Sequence, residues 1–99
     1  MRIFHDLNRV GMKFVLTDLD LALTFLDLAE VSHSEAVIRR NHTNARIAHD
    51  AVERLLPRLT PDAEQRQLID AKLAALKTRL RAVGSRTFLK RRAVVGARD

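Results

Sequence analysis

The side chains able to do chemistry are few and scattered. Glu30 and His33 stand three residues apart, the Glu-x-x-His spacing that places two metal ligands on one helical face. His42 and His49 follow two helical turns apart, and Asp20, Thr24 and Asp27 recur in steps of four and three. A di-metal bundle site needs a second Glu-x-x-His pair and further Glu residues on facing helices, and the chain has neither. Ser32, His33 and Ser34 bring hydroxyls beside an imidazole. Adjacency in sequence does not make a relay, and helix capping already accounts for both serines. Gly11, Gly84 and Gly96 are isolated, so no glycine-rich loop is present to cradle a phosphate. These patterns lead us to expect no catalytic residue, no bound metal and no cofactor.

Charge offers a different chemistry. The chain carries 18 Lys and Arg against 12 Asp and Glu, a formal net charge of +6. The excess is uneven. Residues 1–33 are net acidic, with five acids and three bases, whereas residues 84–99 carry five bases and one acid. Arg86, Lys90, Arg91, Arg92 and Arg98 are the candidate nucleic-acid contacts, because such a cluster attracts phosphates by counterion release without reading sequence. Base stacking has little to draw on, with four Phe, no Trp and no Tyr. The remaining arginines of the middle segment, Arg39, Arg40, Arg46, Arg54 and Arg58, do not fall on one helical line. Charge placement therefore favours a protein partner over nucleic acid.

The elements that must carry these residues are helical. Ninety-nine residues with 46% hydrophobic content bound one small domain with a thin core. Thr60 before Pro61, with Asp62 and Glu64 following, is a helix start. Ile69, Leu73, Leu76, Leu80 and Val83 continue in steps of four and three, and Gly84 provides a left-handed stop. This predicts a helix over 61–83. Ser32 and Glu35 have the capping-box spacing, and Ile38, Asn41, Ala45, Ala48, Val52, Leu55 and Leu59 form the stripe of a helix over 34–58 that Pro57 kinks or ends. Glu35–Arg39, Arg46–Asp50 and Asp50–Arg54 are spaced for surface pairing.

The stretch "DLDLALTFLDLAE", Asp18 to Glu30, alternates like a strand but is built from Leu, Ala and Asp, which favour helix over strand. It reads as a helix over 17–30 capped by Thr17, with Leu16, Leu19, Leu23 and Leu26 on one face and Leu21, Phe25 and Leu28 on another. Before it, Ile3, Leu7, Val10 and Phe14 are again helically spaced, which allows a short N-terminal helix interrupted at Gly11. The expected fold is all-α, an antiparallel bundle of three helices over 17–30, 34–58 and 61–83. Residues 1–84 form its single domain and residues 85–99 a basic tail.

Within this hairpin, Phe25, Leu28, Ala29 and Ser32, followed by Ala45, His49, Val52 and Pro57, resemble the spacing of a single tetratricopeptide repeat. His49 stands where the repeat has an aromatic residue, Val52 where it has a small one and Ser32 where it has Tyr. The inter-helix stretch is about one turn longer than in the repeat. The likeness covers residues 22–57 and implies a helical hairpin of the kind used as a protein-interaction scaffold. It assigns no binding residue.

A small bundle has difficulty covering a helix that is apolar on two faces, and a second copy would cover it. Leu19, Leu21, Leu23, Phe25, Leu26 and Leu28 are the candidate self-association residues, with Asp20 and Asp27 opposing contact unless the partner's basic residues offset them. The N-terminal segment lacks the apolar run and small-residue cleavage site of a signal peptide, and Met12 offers a second place for translation to start. No span reaches eighteen apolar residues free of charge, which argues against a membrane partner. The absence of Cys suits a reducing compartment, so a cytoplasmic location is expected. Taken together these readings give a non-enzymatic interaction or structural module, most simply a homodimer through its first helix. The rival is a basic accessory protein binding nucleic acid through its tail.

Overall fold

The computed structural model describes the backbone of residues 2–97 and the side chains of residue 3 and residues 5–84. The described chain holds three α-helices and no strand: α1 (Arg2–Val31), α2 (Glu35–Leu55), a 3₁₀ turn (Leu56–Arg58) and α3 (Ala63–Ala97). Asp20 and Asp27 of α1 meet Lys72 and Arg79 of α3, so these two helices run in the same direction. Arg46 meets the Leu80 carbonyl and Glu53 meets Lys77, so α2 runs opposite to α3. The result is an up-down-up bundle, with α1 and α2 making the most extensive contact. Ala22, Ala45 and Ala48 are buried together in the core, small enough for helices to approach closely.

All three helices extend or shift relative to the sequence-based boundaries, for local reasons. Thr17 lies inside α1, so the expected cap and the separate N-terminal helix merge into one 30-residue helix. Gly11 carries a helix-propensity penalty of about 1 kcal/mol. Met12 and Val15 prolong the buried stripe across it, which outweighs that penalty. Gly11 also gives room to a neighbour, since a Cβ there would stand 2.5 Å from Leu59 Cδ2.

Ser34, two residues closer to α2 than Ser32, is the cap of α2; its hydroxyl accepts from Val37 N at 3.3 Å. Ser32 Oγ instead accepts from Ser34 N, at 3.2 Å, which tightens the turn. Pro57 acts as expected: α2 ends at Leu55 and the 3₁₀ turn follows. The start of α3 moves to Asp62, whose carboxylate accepts from Gln65 N at 2.8 Å while Gln65 Oε1 accepts from Asp62 N at 2.9 Å. Thr60 is not free to cap, because its N–H and hydroxyl both donate to Asn8 Oδ1, at 2.8 and 3.3 Å, and its carbonyl accepts from Asn8 Nδ2. That latch fastens the α2–α3 connection to α1.

Gly84 does not stop α3. The described glycines have no positive φ, and the helix continues to Ala97 through a stretch whose centre, Leu89, Lys90, Arg91, Arg92 and Ala93, is an unbroken run of good helix formers. The backbone of residues 85–97 of the basic segment is therefore helical and continues α3.

The core follows the expected stripes of α2 and α3: Ala45, Ala48 and Val52 from one, Ile69, Leu76, Leu80 and Val83 from the other. Asn41 is buried with them, its amide donating to the Val37 carbonyl at 3.0 Å. Of the surface pairs, Glu35–Arg39 forms at 3.8 Å. Arg46 reaches instead to Leu80 O and Asp50 to His49, so the other two expected pairs do not form.

Candidate functional site

α1 carries two apolar seams, and only one of them is covered. The inner seam is Met12, Val15, Leu19, Ala22, Leu26 and Ala29, alternating steps of three and four, all buried. The outer seam is Ile3, Leu7, Val10, Phe14, Thr17, Leu21, Thr24, Leu28 and Val31, alternating steps of four and three from end to end. Its seven apolar members are 44% to 73% exposed. For about 3.6 residues per turn the two seams point roughly 150° apart, so packing the inner one leaves the outer one on the opposite side. Both repeat every 3.5 residues, the period that keeps a seam in line along a left-handed supercoil.

The six candidate self-association residues divide between these environments. Leu19 and Leu26 are fully in the core and cannot contact a partner. Leu23 and Phe25 lie on the flanks and pack against the core edge. Leu21 and Leu28 remain open, at 44% and 48%. The structure joins them to Ile3, Leu7, Val10 and Phe14, which the sequence reading had assigned to a separate segment.

The charges beside this face are mostly satisfied within the chain. Asp20 pairs with Lys72. Arg79 meets Asp27 at 2.9 Å and Glu30 at 3.1 Å. Asp6 and Arg9 pair at 3.6 Å one turn apart. The two acids expected to oppose a second copy are thus offset by α3 of their own chain rather than by a partner. Thr24 donates its hydroxyl to the Asp20 carbonyl at 2.8 Å, which satisfies it within α1. Lys13 and Asp18 make no ion pair among the described residues.

The residues with metal-like spacings do not converge. Glu30 is held by Arg79, while His33 sits in the turn between α1 and α2. Asp20 and Asp27 are committed to α3. Among the described residues no three His, Asp or Glu side chains gather closely enough to hold a metal ion. His49 Nδ1 stands 3.0 Å from Asp50 Oδ1, and its Nε2 is shielded from solvent, 3.5 Å from Glu53 Oε1 but without hydrogen-bond geometry.

A second feature lies between α2 and α3. Arg46, His49, Asp50, Lys77, Leu80, Arg81 and Gly84 line an open cleft of about 470 Å³. Three cations border it, although Lys77 is engaged by Glu53 at 2.7 Å. It opens where α3 continues toward Arg86, Lys90, Arg91 and Arg92, whose side chains lie outside the described residues, as does Arg98 entirely. No helix among the described residues is long and apolar enough to cross a membrane. The chain matches no known protein family, no curated protein and no solved structure.

Proposed function

We propose that the protein is a non-enzymatic helical interaction module that self-associates through the outer face of α1. The observation that carries this reading is the exposed seam from Ile3 to Val31 on a helix whose opposite side is fixed in the core. Contiguous apolar surface of this kind is rare on monomers and marks contact sites. Its placement on a single long helix suits a helical partner, which reads such a face through side chains at steps of three and four. The hairpin's likeness to a tetratricopeptide repeat is consistent with a scaffold role. A chain without Cys suits a reducing compartment such as the cytoplasm.

Sedimentation equilibrium tests the reading, on the native chain and on the Leu21→Asp, Leu28→Asp double variant, with helicity checked in both. The native chain is expected to reach twice its chain mass in the tens of micromolar, and the variant to remain monomeric. A native chain that stays monomeric there rejects the reading.

The basic cleft favours a second function, sequence-blind binding of nucleic acid. Arg46 and Arg81 extend the cationic segment of Arg86, Lys90, Arg91, Arg92 and Arg98 onto the folded body. Such binding falls steeply with salt and is lost on deleting residues 85–99. Binding that ignores salt, or survives the deletion, rejects this source.

A further inference from the structure

We infer that the occupant of the outer seam is a second copy of α1, aligned in parallel as a two-stranded coiled coil. This rests on the proposed self-association and specifies its geometry. The nine seam positions alternate as a and d of a heptad: Leu7, Phe14, Leu21 and Leu28 at a, and Ile3, Val10, Thr17, Thr24 and Val31 at d. Four heptads in unbroken register are more than a single groove needs. They match a partner with the same repeat over the same length, and a copy of α1 is such a partner.

Charge selects the orientation. The flanking g positions are Asp6, Lys13, Asp20 and Asp27, and the e positions within the described side chains are Gly11, Asp18 and Phe25. Asp6, Asp20 and Asp27 already have partners within the chain. Lys13 and Asp18 are left without an ion pair among the described residues. They are of opposite sign, and they stand five residues apart. In a parallel pair, g of one strand faces e of the next heptad on the other, which is five residues further on. Lys13 of each copy therefore faces Asp18 of the other, twice by symmetry. Asp6 and Asp20 face Gly11 and Phe25, Asp27 lies level with the turn after α1, and no like charges meet.

An antiparallel pair sets g against g instead. Lys13 at g and Asp18 at e then never face one another, and the complementary pair is lost.

The absence of native Cys makes the test clean. Thr17→Cys and Thr24→Cys, each alone in the full chain, are oxidised and scored for covalent dimer, with Thr43→Cys on the exposed side of α2 as control. In a parallel pair d faces d at every layer, so both seam variants cross-link efficiently and the control does not. In parallel, Lys13→Glu is expected to weaken association roughly threefold to thirtyfold at low salt, and Lys13→Glu with Asp18→Lys to restore it. A native dimer by sedimentation in which Thr24→Cys fails to cross-link, or in which the charge swap does not rescue, overturns the parallel alignment and leaves self-association standing. A native chain that is monomeric at hundreds of micromolar removes both.

Discussion

Leu19 and Leu21 are two residues apart on one helix and should respond oppositely to truncation. Leu19 is fully buried among α1, α2 and α3, whereas Leu21 is 44% exposed on the outer seam. Leu19→Ala removes buried methyl groups and leaves a cavity, a loss of about 2–5 kcal/mol. In a domain of this size about 1 kcal/mol moves the midpoint by ~4–8 °C, so Tm should fall by roughly 10–30 °C at any protein concentration. Leu21→Ala leaves no cavity in the lone chain and exchanges one strong helix former for another, so its intrinsic penalty should be under about 1 kcal/mol. What it removes is the part of Leu21 that only a partner covers. That is slightly under half of the ~1.5–3 kcal/mol for full burial, and it counts twice in a symmetric dimer, or about 1.5–2.5 kcal/mol. Association should weaken by roughly tenfold to a hundredfold. Thermal unfolding followed by circular dichroism distinguishes the two. Native Tm should rise from low-micromolar to near-millimolar chain, because association stabilises the folded state by mass action. Leu21→Ala should flatten that rise while lowering the Tm in dilute solution by less than ~4–8 °C. If Leu21→Ala lowers Tm as much as Leu19→Ala in dilute solution, the outer seam is packed inside the chain and the two-seam description is wrong.

Other positions test the fold and its fastenings. Asn8→Ala deletes the latch to Thr60 and should lower stability by about 1–2 kcal/mol in urea unfolding, with α3 amides near residue 63 exchanging faster. Asp62→Ala removes the acceptor that caps α3 and should cost about 0.5–2 kcal/mol by the same measure; no change would mean that Thr60 caps after all. Arg79→Ala breaks the contacts to Asp27 and Glu30, whose carboxylates are largely exposed, so a loss of no more than about 1 kcal/mol is expected, and it should shrink in molar salt. Asn41→Leu replaces a buried amide whose one bond is to its own helix and should be neutral or stabilising; a marked drop in the urea midpoint would show that the site needs the amide.

Much of the bundle was legible in the chain because α2 and α3 each carry one apolar stripe and a clear stop or start. Ile69 to Val83 and Ala45 to Val52 went to the core as their spacing required. The boundaries that moved did so where two local signals competed. Thr60 offers a cap, but Asn8, fifty-two residues away, occupies its N–H and hydroxyl, and no local pattern reveals that. Gly11 and Gly84 look like breaks, yet long flanking runs of helix formers carry the helix through both. The outer seam was hidden for a related reason. Thr17 and Thr24 interrupt the apolar series, so Ile3–Phe14 and Leu21–Leu28 read as separate stripes. Steps of seven from Leu7 give Phe14, Leu21 and Leu28, a signal present in the sequence once α1 is read as continuous. Which of two apolar faces turns inward depends on α2 and α3 together, so the chain alone placed Leu19 and Leu26 beside Leu21 and Leu28 as equals. The pairing of Asp20 and Asp27 with Lys72 and Arg79 likewise joins residues fifty-two apart, and it removes the repulsion that the sequence set against a second copy.

The most direct measurement is a dilution series by heteronuclear magnetic resonance on the full native chain, from near-millimolar to low-micromolar, following backbone amides and methyl groups. Concentration-dependent shifts are expected on Leu7, Val10, Phe14, Leu21 and Leu28, with the buried Ala45, Val52 and Leu76 unmoved. Shifts confined to α2 or α3, or spectra that do not change with concentration, would contradict self-association through the outer seam.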